Sequence, residues 1–393
     1  MQIKTKLTHV GSIDGIRAFG CIWLLLAHWD IMHFSGAWVV MGTFFLLSGF
    51  LIGRILLATN EKPFYQYYKN FIINRCLRIL PLYYISLILI YGVMFLLQDS
   101  SRRMSLSFEY WTDQLTYFLL YGVNFIKVFN PELSFHGHEF LGHYWSLSVE
   151  EQFYLFFPFF IFFIRGKAFK TIVIAAIICT PFLRYFSTLW LEQLYNVSYA
   201  RSITYELTFY WIDAFALGTA LTLFNFDNIK NPRMISFAII SISLVIGYII
   251  YFTSLGSSYP LRIQNFGTDF QPLQRELTGI WLVDYRFVIM GWLFNLISAS
   301  IVLCGILGKP LFKVLDNKYV IFVGKRTYAM YLFHLPVLIL LRHFDIINMK
   351  RVFNEPLYNL IGFIAYVLLM IFISHLSYVY IEKPFLRLKK RYD

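Results

Sequence analysis

Apolar residues in this chain come in blocks separated by short polar stretches, and the block lengths decide its class. A helix rises about 1.5 Å per residue, so crossing a hydrocarbon core of about 30 Å takes about 20 residues. Ten blocks reach or approach that length: 13–30, 36–53, 77–97, 144–164, 171–190, 206–224, 234–253, 286–307, 326–342 and 357–379. The apolar stretch 113–127 is shorter and reads as interfacial or re-entrant. The pattern predicts an all-α, polytopic transmembrane bundle of about ten spans.

Composition agrees. The 393 residues are 58% hydrophobic and 14% charged, against about 25% charged in soluble domains. Asp14 and Arg17 interrupt the first block and no small-residue cleavage site follows, so no cleavable signal peptide is expected. No internal repeat, low-complexity tract or linker divides the chain, so residues 1–393 read as one integral membrane domain. With the N-terminus inside, the cytoplasmic segments hold 23 of the 34 Lys and Arg. That bias predicts that both termini are cytoplasmic, and a cell membrane, inner or plasma, is the expected location of this multi-pass chain. The net charge of +12 then reflects positive-inside bias and attraction to anionic membrane lipid, not a nucleic-acid partner.

Ionisable residues within spans are costly and therefore candidates for function. On the first span Arg17 and His28 are three turns apart on one face, about 16 Å along the axis, and Asp14 lies one turn before Arg17. His28 falls about 22 Å from the inner face. The fourth span brings Glu150 and Glu151 to about 9–10 Å below the outer face, at a similar depth. A histidine held by a carboxylate is a standard general base, although a single buried histidine is as readily a satisfied structural side chain. Arg75 and Arg78 share a face at the expected cytoplasmic end of the third span. They read either as snorkelling anchors or as a fork for phosphate.

Other clusters carry less. HGHEFLGH, 136–143, resembles a zinc site, but His138 and His143 are five apart where a helical HExxH needs four, so no metal site is expected. Cys21, Cys76, Cys179 and Cys304 lack CxxC spacing and read as small core residues.

Seven stretches in order resemble the acyltransferase-3 family, membrane O-acyltransferases that decorate cell-surface polysaccharides. They are IDGIRAFGCIWLLLAHW at 13–29, FFLLSGFLIG at 44–53, NRCLRILPLYY at 74–84, HYWSLSVEEQFYL at 143–155, DAFALG at 213–218, GKRTYAMYLFHLPV at 324–337 and EKPF at 382–385. By this resemblance Arg17 and His28 match the family's essential first-span residues, and Arg75 and Arg78 its RxxR motif. Ser48, Gly49 and Phe50 match a close-packed turn ending the second span. Trp145, Ser146, Glu150, Glu151 and Gln152 match a WSLxxEEQ signature, and Tyr328, Tyr331 and His334 an SYxxYLxH-like segment. Where many members carry an arginine two residues before the sixth-span aspartate, this chain has Trp211, so Asp213 takes at most a weak role. The chain ends 14 residues after the last span, so the SGNH esterase-like domain fused to some relatives is not expected.

The resemblance implies a cytoplasmic acyl-CoA donor, acetyl more than succinyl, as co-substrate, with no tightly bound cofactor. It also implies an outward-facing hydroxyl on a glycan or lipid-linked saccharide as acceptor. Arg75, Arg78 and Arg17 would bind the donor, and His28, about 20 Å away in depth, would act as base with Glu150 or Glu151 behind it. The rival reading is a transporter or flippase for lipid-linked saccharides, but the internal repeats and paired broken helices common in transporters are not seen.

Overall fold

Each apolar block becomes a helix because a bilayer offers the backbone no hydrogen-bonding partner but itself. The structure, a computed structural model, describes residues 10–29, 37–130, 140–195, 197–223, 231–254, 285–307 and 314–388, and among these there is no strand. Helices cover the expected blocks in whole or in part: α1 (Gly11–Trp29), α2 (Ala37–Thr59), α3 (Phe64–Leu97), α7 (Trp145–Phe163), α8 (Gly166–Leu194), α10 (Ile212–Leu223), α11 (Pro232–Ser254), α12 (Tyr285–Ile306), α14 (Thr327–His343) and α16 (Pro356–Ser377). Shorter helices connect them: α4 (Arg102–Asp113), α5 (Leu115–Leu119), α6 (Ile126–Phe129), α9 (Val197–Glu206), α13 (Lys318–Gly324), α15 (Met349–Asn354) and α17 (Lys383–Leu388). Among the described residues, four helical stretches are long and apolar enough to cross a membrane by length and composition: Val40–Thr59, Phe64–Ser100, Gly166–Leu194 and Pro356–Leu388. The chain is a helical membrane protein.

Ser48, Gly49 and Phe50, expected in a turn ending the second span, lie inside α2, which runs on to Thr59, and α3 and the stretch 113–127 also depart from expectation. The third span was expected from residue 77, but the helix starts at Phe64, right after Pro63. Arg75 and Arg78 therefore stand three to four turns inside a helix and not at its end. The short stretch breaks into α5, a 3-10 turn at Val123–Phe125 and α6. Tyr121, at φ 53°, makes the break in the left-handed region. Gln152 Nε2 secures that turn by donating to the Tyr121 carbonyl at 3.0 Å.

The chain divides into two compact units that alternate along the sequence. The first holds residues 1–27, 32–59 and 159–321; the second holds 28–31, 60–158 and 322–393.

In the first unit, α2 and α10 cross in backbone contact. A Cβ on Gly49 would stand 2.1 Å from the Phe215 carbonyl oxygen, and one on Gly218 would stand 1.9 Å from that of Leu46. One glycine from each helix thus permits the approach. Leu46, Leu47, Phe50, Leu217 and Val302 fill the core around the crossing, and Ser48 is partly buried beside it. Asp213 also has a partner that sequence spacing did not reveal. Arg184, from α8, binds its Oδ1 at 3.0 Å with side chains 4% and 0% exposed, and also donates to the Tyr210 carbonyl. Where the resemblance left Trp211 in place of an arginine, a different helix supplies the guanidinium. Arg17 and Asp14 lie one turn apart on α1, both partly buried. Cys179 is a correction: it is exposed on α8, not a core residue, whereas Cys21 is buried.

In the second unit, buried hydroxyls make hydrogen bonds within α3 and to its neighbours. Tyr83 Oη donates to the Phe118 carbonyl at 2.7 Å. Ser86 Oγ donates to the Tyr83 carbonyl at 2.6 Å and lies 2.8 Å from Tyr144 Oη. Such bonds tie α3, α5 and the start of α7 together where apolar packing alone gives lipid no disadvantage.

Candidate functional site

Two clusters of polar side chains lie in the second unit, and both draw on α7. The first is at its N-terminal end. His28, in the last turn of α1, faces the ring of His334 on α14 with centroids 5.2 Å apart, and His334 faces His143 at 4.7 Å. His143 belongs to the 3-10 turn Gly142–Tyr144 that leads into α7. Three imidazoles from distant parts of the chain therefore meet in one place.

The surroundings hold this group firmly. Tyr331 Oη donates to the His143 carbonyl at 2.8 Å, and Ser146 Oγ contacts that Tyr331 hydroxyl and lies 3.1 Å from the same carbonyl. Tyr366 Oη donates to the His334 carbonyl at 2.7 Å. Trp29 stacks on Tyr366 with centroids 5.3 Å apart and donates through Nε1 to Asn359 Oδ1 at 2.8 Å. Arg342 Nη2 donates to the His28 carbonyl at 3.2 Å, and its charge acts on the His28 ring. Trp145 is buried next to the turn.

The second cluster lies two to three turns further along α7. The Arg75 guanidinium carbon stands 5.3 Å from the ring centroid of Tyr154 and 5.7 Å from that of Phe71. Glu151 and Glu150 both act on it electrostatically. Tyr83, Tyr84, Tyr121 and Tyr328 also lie within electrostatic reach of Glu151. Tyr328 Oη donates to the Ile79 carbonyl at 3.0 Å. Tyr121 stacks on Tyr83 at 4.1 Å, and its hydroxyl is buried with no hydrogen-bond partner among the described residues. Gln152 exchanges hydrogen bonds with Asn124 at 2.9 and 3.4 Å. Arg78, one turn from Arg75, is exposed.

This arrangement redistributes the expected partners. The arginines and the carboxylates were expected at opposite depths, yet Arg75 and Glu151 share a cluster. Glu151, expected behind His28, has Glu150 and Arg75 as its electrostatic neighbours, while His28 has Arg342 and the two other histidines. The separation between the His28 group and Arg75, expected at about 20 Å, becomes about 12–16 Å, counted along α7 from His143 to Glu151 and Tyr154. Sequence reasoning missed His143 and Arg342. His143 stands two residues before the WSL segment, a signal that the metal reading of the same stretch obscured. Arg342 stands at the end of its span, where it reads as an ordinary interfacial anchor. His138 lies outside the described residues.

With this geometry established, known proteins can be compared. A family model described as an acyltransferase domain, acyltransferase-3, matches residues 10–378. The chain is 27% identical to the peptidoglycan O-acetyltransferase OatA of Listeria monocytogenes, over 96% of this chain and 56% of the relative. It is 25% identical to the O-acetyltransferase OatA of Staphylococcus aureus, over 96% of this chain and 57% of the relative. The chain thus spans a little under three fifths of the length of these relatives. No solved structure matches. A match that begins at the first turn of α1 and ends in the turn after α16 takes in both clusters and both units, so the chain belongs to the acyltransferase-3 family.

Proposed function

We propose that this protein is a membrane O-acyltransferase that moves an acyl group, acetyl in the simplest case, from cytoplasmic acyl-CoA to a hydroxyl of a cell-surface or exported glycan. The observation that carries the reading is the family match across residues 10–378, with relatives named as O-acetyltransferases. The two clusters support it by dividing the work of such a reaction between them.

Arg75 and Arg78 hold the donor's phosphates. Arg78 is exposed and meets them first, while Arg75 is set by its stack on Tyr154. Guanidinium suits phosphate because its planar fork gives two parallel hydrogen bonds. The pantetheine arm spans the interval to the imidazoles and brings the thioester to His28. His28 takes the proton of the acceptor hydroxyl as its oxygen attacks the thioester carbonyl. The carbon–sulfur bond breaks, and the proton passes to the sulfur, leaving an ester and free CoA thiol. Glu150 and Glu151 offset the charge of Arg75 and keep the donor path polar within a span, where unpaired charge is costly. The protein sits in the cell membrane with both termini cytoplasmic, so donor and acceptor arrive from opposite faces.

Mass spectrometry of surface glycans from cells with and without the gene tests this. The reading expects an acetyl or succinyl mass increment on a glycan that disappears with the gene. Identical glycan profiles, with lipid-linked saccharides accumulating on the inner side, would replace it with transport.

A further inference from the structure

His334 and His143 are buried in an unusual way. His334 is 0% exposed, and its Nδ1 lies 2.6 Å from the Tyr331 carbonyl. A carbonyl can only accept, so Nδ1 carries the hydrogen and Nε2 presents a lone pair. That Nε2 is buried with no hydrogen-bond partner among the described residues. His143 repeats the arrangement in reverse. Its Nε2 donates to the Leu332 carbonyl at 3.2 Å, leaving the Nδ1 lone pair buried and unpartnered. A histidine kept for structure alone would have both nitrogens satisfied, since buried polar atoms nearly always are. Here two adjacent rings each hold one lone pair unused, and solvent reaches neither. The ring beside the His334 lone pair is His28, which is partly exposed.

We propose that His334 is the positioning partner of His28, accepting through Nε2 the N–H of the His28 imidazolium as that cation forms. The proposal rests on the reading of His28 as the base. One His28 nitrogen takes the acceptor's proton, and the other carries the hydrogen that turns to His334. When the proton passes to the departing thiolate, His28 returns to neutral and His334 is unchanged. At rest the rings are in contact only, and the hydrogen bond tightens as charge develops, as catalytic hydrogen bonds often do. The role is the one a carboxylate fills in a serine-hydrolase triad. The carboxylate of Glu151, about two turns along the chain from His143, has Glu150 and Arg75 as its electrostatic neighbours instead. The ionisable groups bearing on the pair are Arg342, from α14, His143, from the turn before α7, and Tyr331, one turn before His334.

The test is thiol release from acetyl-CoA and succinyl-CoA, with water as acceptor, by the purified full chain in lipid vesicles. Gln and Asn separate the two nitrogens of His334. His334→Gln can keep an acceptor where Nε2 stands, and His334→Asn can keep the donor to Tyr331 but places nothing at Nε2. The expected result is that H334Q stays within a few-fold of the parent. H334N should lose about 10- to 100-fold in kcat with KM for the thioester unchanged. The rising limb of its kcat–pH profile should move to lower pH, because protonated His28 has lost its acceptor. A merely structural role would change yield or melting temperature without moving that midpoint. An active H334N, equal losses in both variants, or an unmoved midpoint would overturn the proposal. If the parent released no thiol from either thioester, the acyl-transfer reading would fail and take this proposal with it.

Discussion

Arg75 and Tyr154 form a cation–π pair across α3 and α7, with the guanidinium carbon 5.3 Å from the ring centroid. One turn further along α3, Arg78 is exposed. The two members of the RxxR segment are thus not equivalent, although a shared helical face made them look so.

Their replacement by lysine should therefore differ. Arg75→Lys gives up both the planar fork and the stack on Tyr154 and Phe71, a loss of about 0.5–2 kcal/mol. That corresponds to a rise of about 2- to 30-fold in KM for acetyl-CoA, with binding of unacylated CoA weakened in parallel. Arg78→Lys should have the smaller effect, and Tyr154→Leu should follow Arg75→Lys. Unchanged CoA affinity in all three would return these arginines to anchoring the span.

Arg184 and Asp213 are buried together, so removing either leaves a charge without its counterpart. Asp213→Ala or Arg184→Ala should cost about 3–5 kcal/mol, read as a lowered melting temperature of the purified protein in detergent. The double change Arg184→Met with Asp213→Leu should be milder than the sum of the singles, because it removes the desolvated pair as a unit. Additive losses would show that the two side chains are not coupled.

Glycine positions offer a graded comparison. Gly49→Ala and Gly218→Ala each drive a methyl into backbone of the facing helix, so both should reduce folded yield sharply. Gly92 lies within α3 and a Cβ there meets nothing within 4 Å, so Gly92→Ala should stabilise by up to about 1 kcal/mol. Equal folded yields for all three variants would remove the close crossing of α2 and α10.

How much of this was legible in the sequence follows from the physics of helices in lipid. Apolar block length alone located the helices, since every backbone group in a span must be satisfied within it. The early start of α3 was hidden because FYQYYKN, 64–70, is too polar to count as span, although it continues the same helix. Residue counting also estimates depth along an axis, and on that basis His28 and the two glutamates looked level. Depth is one coordinate of three. Which side chains meet laterally depends on helix packing, and packing placed Glu151 with Arg75 and gave His28 the company of His334 and His143. Those three histidines are more than 100 residues apart in pairs such as His28 and His143, and no local spacing encodes their meeting. Arg184 is hidden for the same reason: the partner of Asp213 comes from another helix and not from two residues away.

Orientation has a direct readout. Basic residues favour the N-terminal side as cytoplasmic by 23 of 34. A reporter fused after Asp393 should be active when it matures in the cytoplasm and silent when it requires export. Activity only of the exported reporter would reverse the arrangement of donor and acceptor faces.

The central claim is that His28 is the base, and one variant addresses it. Thiol release from acetyl-CoA by His28→Ala, compared with the parent at equal amounts of folded, membrane-inserted protein, should fall by about 10²–10⁴-fold. KM for the thioester should stay the same, because the arginines that hold the phosphates are untouched. A His28→Ala protein that releases thiol at the parent's rate would contradict the account and return the three imidazoles to a structural role.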